Sequence, residues 1–137
     1  MKTARFLLLF GFLAFLVASI SCQKGNGSTT PAEENLVVET LPLANGHVES
    51  PAPGPTFPLK VTVKSAMPSG GVKIDVTAKP DGGTVNFFNN SVTTMNATTD
   101  FTITGATAGV TAVVDITVTS VSKSSNRWTG SYKFSRK

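Results

Sequence analysis

One residue of this chain stands out as a possible site of covalent chemistry, the single cysteine Cys22. It lies directly after an apolar run and directly before Gln23 and Lys24. A reactive thiol needs a base or a cation beside it in a folded site, and a structural thiol needs a partner sulfur. Residues 23–56 separate Cys22 from Phe57, where the first certain strand begins. The position therefore predicts an attachment point rather than a catalytic or disulfide-bonded thiol.

The other side chains that could take part in acid–base chemistry do not form a catalytic set. The only histidine, His47, lies in "NGHVES", away from the predicted strands, so a Ser-His-Asp arrangement would have no base in the sheet region. Asp75 and Asp115 are predicted to point outward on central strands, where two carboxylates could serve glycoside hydrolysis. Their alternation with Lys73 and with threonines instead predicts solvated sheet residues. We therefore expect a protein that is not an enzyme.

Metal, cofactor and nucleic-acid motifs are not indicated either. The chain has no second thiol and no second histidine, and "PDGG" lacks the further acids that a calcium loop needs. Lys133, Arg136 and Lys137 form the one local basic cluster, which matches no nucleic-acid motif. We therefore expect no metal, no cofactor and no nucleic-acid partner.

An aromatic stripe near the C-terminus has two interpretations. Trp128, Tyr132 and Phe134 share one side of a strand with a two-residue period, which is typical of a core face. The same stripe, with Lys133 beside it, could instead be an exposed platform for sugar rings. Trp128, Tyr132 and Lys133 are thus the candidate ligand contacts. Burial of Trp128 would favour the core interpretation, in which the small Gly130 makes room between the aromatic residues.

The N-terminus has the pattern of an export signal. Lys2 and Arg5 precede an uncharged apolar run, residues 6–20, which is shorter than the roughly 20 residues that span a bilayer. Ser19 and Ser21 stand three and one residues before Cys22, which also suits an ordinary signal peptidase. Residues 1–21 are therefore predicted to be a signal peptide that is removed.

The stretch "SISC" resembles the lipobox of bacterial lipoproteins, in the relaxed form found in Bacteroidota. The resemblance implies that Cys22 becomes the first residue and carries a diacylglycerol, with a further acyl chain such as palmitate on its amine. Two acyl chains suffice for stable anchoring without a spanning helix. Gln23, where inner-membrane lipoproteins have aspartate, implies the outer membrane. The alternative is a soluble periplasmic protein.

Residues 22–56 are predicted to be the lipidated cysteine and a flexible tether. The segment is rich in Gly, Ser, Thr and Pro, and only Leu36–Leu43 has the residues of a possible edge strand. Charge divides at the same boundary: residues 23–56 carry a balance of −3, and residues 57–137 carry +5. A basic domain on an acidic tether is therefore expected.

From Phe57 onward apolar residues alternate with polar ones, as in half-buried strands. The pattern predicts six strands in residues 57–137, or seven with Leu36–Leu43, including one at Val85 and Phe87. The stretch "NNSVTTMNATT", with two possible glycosylation acceptors, is predicted to be a polar loop. The expected fold class is all-β, an antiparallel β-sandwich.

The strand series "LKVTVKSAMPSGGVKIDVTAKPDGG" and "TTDFTITGATAGVTAVVDITV" resembles the immunoglobulin-like modules of bacterial surface proteins, without the cysteine pair of antibody domains. The resemblance implies a non-catalytic binding, adhesion or structural role in the cell envelope, with an envelope protein or a glycan as partner. A glycan-binding module that uses the aromatic stripe is the second hypothesis. An enzyme is the third.

Overall fold

The computed structural model describes residues 32–137, which form eight strands and no helix. The strands are β1 (Val38–Leu41), β2 (Asn45–Val48), β3 (Phe57–Val63), β4 (Val72–Pro80), β5 (Phe88–Thr94), β6 (Thr98–Ile103), β7 (Thr111–Ser120) and β8 (Arg127–Ser135). Within these residues no helix has the length and apolarity that a membrane crossing requires. Residues 1–21 and Cys22 lie outside the described part, so the predicted signal peptide and lipidation site stay predictions.

The strands form two sheets, in the orders β1-β3-β6 and β2-β8-β7-β4-β5. All pairs are antiparallel except β2 with β8, which run parallel. Only β4–β5 and β7–β8 are consecutive neighbours in one sheet; the other connections pass between the sheets, as in Greek-key sandwiches. The predicted all-β sandwich of two sheets is confirmed, with eight strands rather than six or seven.

The core lies between the two sheets and is built by the alternating residues of the central strands. In β3 the inward residues Phe57, Leu59, Val61 and Val63 are buried, whereas Pro58 and the other intervening residues are exposed or half-buried. β4 and β7 show the same alternation. A strand with one face on the core and one in water must follow this two-residue period.

The folded region begins well before Phe57, which corrects the predicted boundary between tether and domain. β1 pairs with β3, from Val38 opposite Val63 to Leu41 opposite Lys60. β2 then pairs with β8, and His47 lies on this strand rather than in a loop. The segment is Pro- and Gly-rich but still forms backbone hydrogen bonds to β8, such as the one that the amide of Glu49 donates to the carbonyl of Lys133 at 2.7 Å. Of the predicted tether, residues 38–48 are thus mostly sheet.

The region around β5 also differs from the prediction. Val85 is 76% exposed and lies before β5, so the expected strand at Val85 and Phe87 is displaced toward the C-terminus. The predicted polar loop "NNSVTTMNATT" instead forms most of β5 and the beginning of β6. β5 is an edge strand that pairs only with β4, and most of its side chains face solvent. A strand whose side chains mostly face solvent does not need an apolar residue at every second position, so β5 cannot be recognised by apolar alternation.

Candidate functional site

A groove opens at the side of the sandwich where the chain changes sheets. β1 and β2 belong to different sheets, so the chain crosses from one to the other after the cis peptide bond Leu41–Pro42. β1 therefore covers β3 only as far as Lys60, and residues 57–59 have no strand neighbour on that side. The resulting cavity, called here the side groove, has a volume of about 460 Å³.

The floor of the side groove is apolar and largely aromatic. The buried residues that line it are Phe57, Leu59, Phe101, Tyr132 and Phe134. The ring centroids of Phe57 and Phe134 are 4.0 Å apart, and those of Tyr132 and Phe134 are 6.3 Å apart. The floor therefore consists of side chains from both sheets, in contact across the sandwich.

Tyr132 brings a polar atom into this floor. The residue is 1% exposed, and its hydroxyl has no hydrogen-bond partner within residues 32–137. Burial, and secondarily the negative charge of Glu49 on the groove wall, raises the pKa of the Tyr132 phenol. The phenol therefore stays neutral and protonated, and it can both donate and accept a hydrogen bond. Buried polar atoms are nearly always paired, so this one marks the groove as unusual.

The charged groups around the groove are paired with one another. On one side, Glu49 Oε1 lies 2.5 Å from His47 Nε2, and His47 Nδ1 lies 2.8 Å from Asn45 Oδ1. On the other side, Lys60 Nζ lies 3.5 Å from Asp100 Oδ1 in an exposed ion pair. Exposed pairs of this kind contribute little to stability.

The open edge of β3 offers almost no backbone donor to the groove. The amide of Val63 donates to the carbonyl of Ala97 at 2.8 Å, whereas that of Lys64 donates to Val37 at 2.7 Å. By the alternation of an antiparallel strand, the backbone of Pro58 then faces the open side. Proline has no N–H, so this edge can accept but not donate, which opposes the addition of another strand.

The three candidate ligand contacts predicted from the sequence are not brought together. Tyr132 is buried on the inner face of β8, where it contributes to the groove floor, whereas Lys133 lies on the outer face, where its Nζ donates to Asp81 Oδ2 at 2.7 Å. Trp128 is half-buried and packs against the core. With 1% of its surface exposed, Tyr132 has no free ring face for a sugar. The geometry therefore fits the core interpretation of the stripe better than the exposed platform.

Gly130 has the role that the sequence indicated for it. A Cβ built at Gly130 would collide with the Trp128 ring and would lie 2.8 Å from the Cβ of Ala44. Trp128 thus packs along its own strand, over Gly130 and beside the crossing between the sheets. The prediction that a larger side chain does not fit at Gly130 is confirmed.

The two aspartates lie on the outer face of the larger sheet, as predicted. Asp75 Oδ1 accepts a hydrogen bond from Ser91 at 2.7 Å and lies 3.0 Å from Lys73 Nζ. Partial burial opposes ionisation of Asp75, but the Ser91 hydrogen bond and the Lys73 charge outweigh it and lower the pKa of the carboxyl. Asp115 is exposed on β7. Two strands, β7 and β8, separate Asp75 from β2, the strand of His47.

Residues 32–137 contain no group of three or more His, Cys, Asp or Glu that could hold a metal ion. The side groove itself was not predicted, because Leu41 and Glu49 on its walls were assigned to the tether. The one signal for it in the sequence is "LPLANG", in which two leucines flank a proline shortly before an Asn-Gly pair.

No protein-family model and no curated protein matches this chain. The features from which a function can be inferred are therefore the side groove, its buried hydroxyl and the sequence pattern around Cys22.

Proposed function

We propose that this protein is a non-catalytic binding module of the bacterial cell envelope, held to a membrane by a lipid on Cys22. The observation that carries the binding role is the side groove. Its volume of about 460 Å³ and its apolar lining, with a few polar groups, are typical of ligand sites. The bound partner belongs to the envelope, and the module acts in adhesion or in the organisation of that layer.

The anchor is supported by the order of features at the N-terminus. Lys2 and Arg5, the apolar residues 6–20 and then "SISC" follow one another as in a lipoprotein leader. The described fold begins at Ala32, so residues 23–31 connect it to Cys22. Nine residues span at most about 30 Å when fully extended. A lipid on Cys22 would therefore keep the sandwich close to the membrane surface, which Gln23 suggests is the outer membrane.

Mass spectrometry of the mature N-terminus tests the anchor directly. In bacteria that express the full chain, we expect the N-terminal peptide to begin at Cys22 and to carry the mass of a diacylglycerol and a third acyl chain. The intact protein should partition into the membrane fraction and into detergent. Cys22→Ala should abolish the modification, whereas Ser28→Ala, in the same segment, should leave it unchanged. A soluble mature protein with a free thiol at Cys22 would contradict the proposal.

A further inference from the structure

We propose that the side groove binds an uncharged apolar molecule that carries one oxygen acceptor, such as an aliphatic alcohol or ester, and that this oxygen pairs with the Tyr132 hydroxyl. The inference rests on the proposed binding function and names the ligand class of the same groove. It is argued from the lining, the hydroxyl, the charges and the open edge.

The apolar floor fixes the body of the ligand. Four apolar residues of the lining are at most 5% exposed: Phe57, Leu59, Phe101 and Phe134. An apolar group that enters the groove therefore leaves water for apolar surroundings, which is favourable. Leu41 is 67% exposed at the rim and extends this surface to the outside. An alkyl chain suits such a lining, whereas a polar ring such as a sugar does not.

The hydroxyl of Tyr132 fixes the polar group of the ligand. The Tyr132 side chain is only 1% exposed, and its hydroxyl has no hydrogen-bond partner within residues 32–137. Leaving a buried polar atom unpaired is costly, so a ligand oxygen that reaches the hydroxyl when the side chains covering it move aside gains the hydrogen bond that the fold does not supply. A site of this kind discriminates against analogues that lack the oxygen.

The surrounding charges indicate that this ligand is neutral. The carboxylate of Glu49 acts on the Tyr132 hydroxyl and would repel an anionic head group placed beside it. Lys60, a cation on the lining, is paired with Asp100. A cationic ligand would have to lose its hydration among aromatic rings, which is unfavourable without a partner of opposite charge. The carboxylate of Glu49, which could be that partner, is already in contact with the His47 ring.

The open edge favours a small molecule over a peptide strand. An extended peptide that adds to a sheet relies on backbone hydrogen bonds from the exposed edge. Pro58 is the residue of β3 that faces the groove beyond the end of β1, and it has no N–H to donate. The groove therefore offers side-chain contacts, not a strand ladder.

The test compares three soluble probes with the same alkyl chain: 1-octanol, octanoate and octylammonium. The protein is residues 22–137 with Cys22→Ala, so that no acyl chain of its own competes. In titrations followed by backbone amide NMR, we expect 1-octanol to shift the signals of Leu59, Phe101 and Phe134. Octanoate and octylammonium should bind at least about 10-fold more weakly, as expected when a charge must be desolvated. Equal binding of octanoate, or no shifts at the groove, would overturn the inference.

Two variants separate the hydroxyl from the cavity. Tyr132→Phe should weaken 1-octanol binding about 3- to 10-fold, the value of one hydrogen bond, while the melting temperature stays the same or rises because no buried hydroxyl remains. Ala52→Phe should fill the groove and remove binding. Thr93→Ser, at an exposed position on the outer face of β5, should change neither property. Tight octanol binding by Tyr132→Phe would contradict the inference.

Failure here and failure of the anchor are distinguishable. A lipidated Cys22 together with a groove that binds none of the probes overturns this inference and leaves the anchor in place. Octanol binding together with an unmodified Cys22 supports the groove ligand and contradicts the anchor.

Discussion

Tyr132 and Gly130 lie next to each other on one face of β8 but have different structural roles. Both lie on the inner face of β8, opposite Val114 and Ile116 of β7. Tyr132 fills the core but leaves its hydroxyl without a partner in the described fold, which is unfavourable for stability. Gly130 adds no contact of its own and is instead the space into which Trp128 packs.

Gly130→Ala should destabilise the fold. The new methyl group would meet the Trp128 ring and the backbone oxygen of Ala44, 2.8 Å away. Inserting a methyl group into packed surroundings typically costs about 1–3 kcal/mol. Urea unfolding at neutral pH should show this loss, with little change in the m-value.

Gly54→Ala is the matched control for this substitution. No heavy atom lies within 4 Å of the Cβ that it would add. Its stability should stay within about 0.5 kcal/mol of the parent, as for most surface changes. Equal stability of the Gly130→Ala and Gly54→Ala variants would show that Trp128 can move aside at no cost.

Some strands could be predicted from the sequence and others could not, and the difference has a physical reason. β3, β4 and β7 have neighbours on both sides and one buried face, so their apolar residues must alternate. β1 lies within Leu36–Leu43, which was predicted as a possible edge strand, whereas β2 and β5 are edge strands that are defined mainly by backbone pairing. Backbone hydrogen bonds leave little trace in side-chain type, and a polar strand such as β5 therefore looks like a loop.

The groove could not be predicted from the sequence for a related reason. Its floor residues Phe57, Leu59 and Phe134 were correctly predicted as inward-facing. The opening depends on where the N-terminal segment leaves one sheet for the other, which is set by tertiary pairing of β1 and β2. The predicted site residues Trp128 and Lys133 do not line the groove. Lys133 follows Tyr132 directly and therefore faces the opposite side of the sheet, and Trp128 lies four residues away from Tyr132 along β8.

The N-terminal segment is fastened to the β7–β8 loop by one buried side chain, Asn126. Its Oδ1 accepts from the amide of Leu36 at 2.9 Å, and its Nδ2 donates to the carbonyl of Glu34 at 2.7 Å and to Glu33 Oε1 at 2.6 Å. Asn126 is 6% exposed, and Leu36 is buried beside the core. These hydrogen bonds therefore hold residues 33–36 in place directly before β1 pairs with β3.

Asn126→Ala should loosen β1 more than any other strand. The change leaves the amide of Leu36 and the carbonyl of Glu34 without their partner, which typically costs about 1–3 kcal/mol for buried groups. Hydrogen exchange should accelerate at the amides of residues 38–41, and the melting temperature should fall. Asn90→Ala, on the exposed edge strand β5, is the control and should alter neither. Unchanged exchange in β1 would show that the strand is held by β3 alone.

At the scale of the whole molecule, the predicted division into an acidic tether and a basic domain disappears. Glu33, Glu34, Glu39 and Glu49 all lie within the described fold, and Glu39 Oε2 is 3.6 Å from the Nζ of Lys64, the residue that follows β3. Residues 32–137 contain nine Lys or Arg and eight Asp or Glu, so the fold is close to neutral. Long-range attraction to an anionic partner is therefore expected to be weak, and the proposed binding then depends on contact at the groove.

The proposed anchoring predicts a specific release by trypsin. Lys24 is the only lysine or arginine between Cys22 and Lys60, and Lys60 lies within β3, where the paired backbone is a poor protease substrate. Brief trypsin treatment of membranes that display the protein should therefore cut after Lys24. The product should be a soluble, folded chain that begins at Gly25, with the lipid left behind on residues 22–24. Lys24→Gln should keep the protein on the membrane under the same treatment, whereas Lys123→Gln, in the β7–β8 loop, should not. Release of the Lys24→Gln variant in an uncut form would mean that Cys22 is not what holds the protein at the membrane.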